Sequence, residues 1–156
     1  MKHPLKTSLF MLGFAFAGLL LMQSCKPKGT SSAAGGDASK AYVAPGKYDE
    51  FYNFVSGGFS GQMPVYGIPS GRLLRVIPVF SVDPEKGWGY SEETKPMLNT
   101  SHGFVPWDDL HHIALSVTNS EHDGRWVFGN ANNTPRIARI DLKTFRTAEI
   151  IEIPNS

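Results

Sequence analysis

One stretch constrains the fold more than any other. From His112 to Ile153 the chain reads as short strands separated by turn residues. His112-Ile113-Ala114-Leu115-Ser116-Val117-Thr118 alternates strictly, with Ile113, Leu115 and Val117 on one face and small or polar side chains on the other. That is the period-two pattern of a half-buried strand. Asp123-Gly124 follows, a two-residue hairpin signal because glycine tolerates the positive φ that a type I′ turn demands. Residues 125–130 (RWVFGN) predict a second strand, Asn132-Asn133-Thr134-Pro135 a turn, residues 136–142 (RIARIDL) a third strand and residues 148–153 (AEIIEI) a fourth. Four consecutive antiparallel strands in about 43 residues match one β-propeller blade in size and order, a bare four-stranded meander being the alternative.

The rest of the chain agrees with an all-β fold. Residues 73–83 (LLRVIPVFSVD) are β-rich, and Pro78 confines that strand to an edge or bends it. Gly87-Trp88-Gly89 reads as a turn and residues 95–106 as loop; no stretch carries a convincing helical pattern. The 16 glycines and 11 prolines suit many turns. A propeller needs at least about four blades to close, and residues 48–156 have room for roughly two and a fraction, so the expectation is a partial β-propeller.

The N-terminus predicts export. Lys2 and Lys6 precede an uninterrupted apolar or small run from Leu9 to Met22, too short to span a bilayer but suited to a signal-peptide core. Residues 1–24 are therefore expected to be a lipoprotein-type signal. Leu21-Met22-Gln23-Ser24-Cys25 then resembles a lipobox, with the chain's single cysteine as the acylated residue one. Lipidation explains a lone Cys without a disulfide partner in an exported protein, and two acyl chains hold a protein on a membrane face better than one. Residues 25–47, small and polar, read as a flexible tether with a reach of roughly 25 Å. Folding is expected to begin near Tyr48, so that residues 48–156 are the blades.

Charge excludes one class of partner. Without Lys2 and Lys6 the chain keeps 13 basic against 14 acidic residues, which leaves no electrostatic footprint for nucleic acid. There is no Gly-rich phosphate loop, no nucleophile elbow and no Cys/His zinc spacing. Of the five histidines, His3 goes with the signal, and His102 and His122 sit in loop-like contexts. His111-His112, inside Asp108-Asp109-Leu110-His111-His112, stands out. Neighbouring strand residues point to opposite faces, so two adjacent imidazoles converge only where the strand is just beginning and the backbone still turns. In a blade that strand is innermost and its start opens on the central channel. Imidazole suits copper, zinc, iron and nickel, and Asp109 is placed to accept a ring N–H. The alternative is a solvated surface turn.

Several blocks resemble the nitrous-oxide reductases. They are Tyr52-Asn53-Phe54-Val55-Ser56-Gly57-Gly58, Val65-Tyr66-Gly67-Ile68-Pro69-Ser70, Arg75-Val76-Ile77-Pro78-Val79-Phe80 and Gly87-Trp88-Gly89, then Asp109 to His112, Asp123-Gly124-Arg125-Trp126-Val127-Phe128, and Asn133-Thr134-Pro135-Arg136-Ile137-Ala138-Arg139-Ile140. The blocks come in order from about Tyr48 onward, and the signal without a twin-Arg motif is similar to the Sec-exported branch. The resemblance implies a seven-bladed propeller with a sulfide-bridged four-copper cluster, a C-terminal cupredoxin domain with a binuclear electron-entry copper site, and a homodimer. It implies reduction of nitrous oxide to dinitrogen and water in the periplasm, in denitrification, with a c-type cytochrome or similar electron donor. By the same resemblance His111 and His112 match copper-cluster ligands and Asp109 a residue behind them, and membrane contact is through the Cys25 lipid only. The family's motif often continues with a further His, where this chain has Ile113-Ala114. The remaining cluster histidines and the cupredoxin domain would lie beyond Ser156, so this chain is expected to be an N-terminal fragment, inactive alone. Two other readings stay open: a non-enzymatic propeller lipoprotein acting as a binding module, and a short chain completing a ring from several copies.

Overall fold

The computed structural model describes residues 37–154. The expected signal peptide, Cys25 and the first part of the expected tether lie outside the described residues. Within the tether span, Asp37–Ala41 forms a short 3-10 turn. No helix among the described residues is long and apolar enough to cross a membrane.

The strands are β1 (Phe51–Phe54), β2 (Gln62–Ile68), β3 (Leu73–Pro78), β4 (Asn99–Thr100), β5 (Gly103–Phe104), β6 (Leu110–Thr118), β7 (Glu121–Ala131), β8 (Arg136–Asp141) and β9 (Arg146–Glu152). They form a three-stranded sheet in the order β1-β2-β3, a small β4-β5 hairpin, and a four-stranded sheet in the order β6-β7-β8-β9. Every pairing is antiparallel. The four-strand blade expected from His112 onward is present, and its first strand begins at Leu110, just ahead of the histidine pair. Pro78 ends β3, an edge strand, where a residue with no N–H to give costs no ladder bond. The fold is all-β, a partial propeller-like arrangement that closes no barrel among the described residues.

Alternation decides which faces meet. In β2, Met63 and Val65 are fully buried, and in β8 Ala138 and Ile140 are. Together with Ile77, Val79, Phe80, Leu110, Val127 and Ala131 they make one core between the two sheets. Each such large side chain contributes roughly 1.5–3 kcal/mol by leaving water. Polar ties fasten the same junction: Leu110 exchanges backbone hydrogen bonds with Gly58 at 3.0 and 3.1 Å, and the Thr147 hydroxyl donates to the Pro78 carbonyl at 2.7 Å. Phe145 packs edge-on against Tyr52 and Phe54.

One expectation is corrected. Asp123-Gly124 is not the β6–β7 turn. The turn residues are Asn119 and Ser120, with φ of 52° and 68°, flanked by the Thr118–Glu121 pair. Two consecutive positive φ values are the type I′ requirement, which asparagine meets more readily than most residues. Asp123 and Gly124 instead lie inside β7, in a bulge. Leu115 faces Val127 and Val117 faces His122, so Ser116 alone stands opposite residues 123–126. Gly124 supplies the left-handed φ of 66° there. The pair signals left-handed backbone in either setting, but here only Gly124 adopts it, as the glycine of a bulge does, whereas a type I′ turn needs two such residues.

Candidate metal centre

A second bulge forms at the start of β6. Leu110 pairs with Ala131 and Ile113 with Gly129, so His111 and His112 together oppose Asn130. An extra residue on one strand re-aims side chains that would otherwise alternate between faces. Both histidines are exposed. Their ring centroids are 4.3 Å apart at an interplanar angle of 70°. The pair stands at the start of β6, as expected, with its two rings in contact.

The backbone around the pair is held on every side. Just before it, the Leu110 carbonyl accepts from Gly58 N–H at 3.1 Å and from the Ser56 hydroxyl at 2.5 Å. The Asp109 carbonyl accepts from Asn132 N–H at 3.0 Å. After it, His112 N–H donates to Asn130 Oδ1 at 2.9 Å.

Beneath lies a buried polar network. Asp108 Oδ1 accepts from the Asp109 N–H at 2.7 Å and from the Asn133 backbone and side-chain N–H groups at 3.0 and 2.9 Å. Asp108 Oδ2 accepts from the Thr134 hydroxyl at 2.5 Å and faces Arg136 at 3.4 Å, with both charged side chains fully buried. Burial alone would raise the Asp108 carboxyl, but hydrogen bonds from Thr134, Asn133 and the Asp109 backbone outweigh it and hold it below the ordinary value. Arg136 is pulled below its own ordinary value by burial, against the support of Asp108. Its guanidinium also lies 5.1 Å from the Phe80 ring centroid, a favourable place for a desolvated cation.

Asp109 is buried, and its Oδ1 has no hydrogen-bond partner. A buried carboxylate oxygen left unsatisfied is costly and marks a place for a donor. His102 and His122 are exposed and stay apart from the pair in sequence and strand. No group of three or more His, Cys, Asp or Glu among the described residues is arranged to hold a metal ion. By residue type alone the set fits copper in part: two adjacent imidazoles at the strand start, and a buried carboxylate two residues before His111. Asn130 and the Asp108 network escape sequence reasoning, because their partners are set by β6–β7 register and by turn packing rather than by any local spacing.

No protein-family model matches the chain. Against curated proteins it is 41% identical over 125 residues to the nitrous-oxide reductase of Pseudomonas fluorescens, covering 80% of this chain and 19% of that protein. To the nitrous-oxide reductase of Stutzerimonas stutzeri it is 40% identical over 116 residues, covering 74% of this chain and 18% of the relative. To that of Ralstonia nicotianae it is 36% identical over 160 residues, covering 94% and 25%. The chain belongs to the nitrous-oxide reductase family. It spans about a fifth to a quarter of the length of these curated relatives. Within the described residues, the β6 bulge brings two imidazoles side by side.

Proposed function

We propose that this chain serves in a copper-dependent nitrous-oxide reductase, with His111 and His112 as two of the copper ligands. The observation that carries the reading is the β6 bulge, which sets two imidazoles 4.3 Å apart at the start of a blade's first strand. Membership of the family supports it. Bound copper would supply the electron transfer needed to convert nitrous oxide, two protons and two electrons into dinitrogen and water. The chain's own part is to hold the ligands. Each imidazole ligates through an unprotonated ring nitrogen, and the other ring N–H needs an acceptor to fix ring orientation. The unsatisfied Oδ1 of Asp109 is such an acceptor. Two imidazoles are too few for a sulfide-bridged cluster, so the proposal includes that these residues alone reduce no nitrous oxide. A periplasmic location, a lipid on Cys25, a tether over residues 25–47, a homodimer and an electron donor of the c-type cytochrome class complete the reading.

The test is metal content and nitrous-oxide reduction of the whole enzyme carrying His111→Ala and His112→Ala. Each replacement should remove most of the bound cluster copper and its visible absorption. A doubly replaced enzyme with full copper and activity overturns the ligand assignment. For the anchor, wild type should partition into detergent and Cys25→Ala should not; equal solubility and equal mature mass overturn lipidation.

A further inference from the structure

We propose that Asn130 is a positioning residue that holds the His111–His112 bulge in its ligating shape. This rests on the reading of the two histidines as copper ligands. Inserting one residue into an antiparallel ladder leaves a backbone N–H without its carbonyl. Here that group is the N–H of His112, and the Asn130 side chain meets it at 2.9 Å. The Asn130 Nδ2 donates in turn to the Ala131 carbonyl at 3.1 Å, so the carboxamide is held at both ends with its oxygen toward His112. Asn130 is the residue that the two histidines jointly oppose. Asparagine is a poor strand former, yet it stands near the end of an eleven-residue strand between Gly129 and Ala131. A side chain carrying one acceptor and one donor on a rigid plane suits the position; an apolar strand former would leave His112 N–H unpaired.

The consequence concerns where the rings point. Leu110 is tied to the first sheet through Gly58 and Ser56, which fixes the entry to the pair, and Asn130 fixes the exit. Without that second tie β6 can relax toward regular pairing, in which adjacent side chains face opposite ways. One imidazole then leaves the site.

The experiment uses the full chain with His3, His102 and His122 replaced by Ala, so that only the pair remains, and copper(II) ion as probe. Nitrogen hyperfine structure in electron paramagnetic resonance counts the coordinated imidazoles. The parent chain should show two. Asn130→Leu should show one, with affinity weaker by on the order of 10- to 100-fold. Asn130→Asp, which keeps an oxygen acceptor, should still show two, a count that added charge does not alter. A metal-free readout accompanies it: hydrogen exchange of the His112 amide should accelerate in Asn130→Leu and not in Asn130→Asp, while the Leu115 and Val127 amides hold. Should Asn130→Leu fail to fold, the parent chain decides alone, through the scalar coupling between His112 nitrogen and the Asn130 side-chain carbonyl carbon. Two coordinated imidazoles and a protected His112 amide in Asn130→Leu, or no such coupling in the parent chain, overturn the role of Asn130. A parent chain that binds copper through fewer than two imidazoles overturns the ligand reading instead, and the exchange arm still decides whether Asn130 holds the bulge.

Discussion

The β6–β7 pair carries two bulges that solve the same problem in opposite surroundings. At the inner one, His111 and His112 oppose Asn130, and the N–H left over is met by a carboxamide. At the outer one, Ser116 opposes residues 123–126, and the spare N–H groups of Arg125 and Trp126 are met by Asp123 Oδ1 and Ser116 Oγ, each at 3.0 Å. The inner bulge sits on the core residue Leu110 and on the buried Asp108–Arg136 network. The outer bulge stands near the exposed hairpin tip. A bulge needs only local side-chain donors and acceptors to exist, but it holds a fixed aim only where the strand beneath it is locked to a core.

The largest break should come at the inner end. Asp108→Ala strips the buried Arg136 of its partner and removes the acceptor for Asn133 and Thr134. Leaving a buried charge unpaired costs about 3–5 kcal/mol, readable as a lower urea midpoint for the whole chain. Pairing it with Arg136→Met should restore part of that loss. A double replacement as damaging as the single one would show that the network's value is not the burial of Arg136.

Two glycines of nearly equal φ sharpen the contrast. Gly61 at +65° would place a new Cβ 2.7 Å from the backbone oxygens of Asp108 and Phe80, whereas Gly124 at +66° has nothing within 4 Å. Gly61→Ala is therefore expected to cost about 2–4 kcal/mol, from strain plus a backbone clash at the junction. Gly124→Ala should cost only the conformational term, about 1–2 kcal/mol. Equal losses in denaturant titrations would mean that packing at Gly61 yields without penalty.

The smallest expected effect is local and depends on pH. Hydrogen bonds from the Ser116 and Thr118 hydroxyls pull the Asp123 carboxyl down to about 2, outweighing the desolvation that opposes them. A folded value below the unfolded one stabilises the tip above the unfolded value, 3.8, and that support is lost as pH falls toward about 2. Exchange of the Arg125 and Trp126 amides should quicken across that window, and Asp123→Asn should abolish the dependence. His112 amide exchange should not follow Asp123. A matching response at His112 would mean that the two bulges open as one unit.

The difference between the bulges also marks how far sequence reading reaches. Strand identity was legible, since Ile113, Leu115 and Val117 alternate and Pro78 marks an edge. Asp123-Gly124 was legible as a site of left-handed backbone but not as a bulge, because the competing Asn119-Ser120 pair carries no glycine to announce it. The place of His111 and His112 at the strand start was legible; the bulge that sets both opposite Asn130 was not.

What the sequence determined by itself is local or cumulative. Side-chain period, turn preference and the ordered blocks of a nitrous-oxide reductase need no knowledge of which strand lies beside which. Tertiary structure alone decided the register of β6 on β7, the partner of the His112 N–H, the burial of Arg136 over Phe80 and the unsatisfied oxygen of Asp109. Those follow from pairing between residues far apart in the chain. A one-residue change of register there turns every side chain to the other face while leaving each local preference untouched.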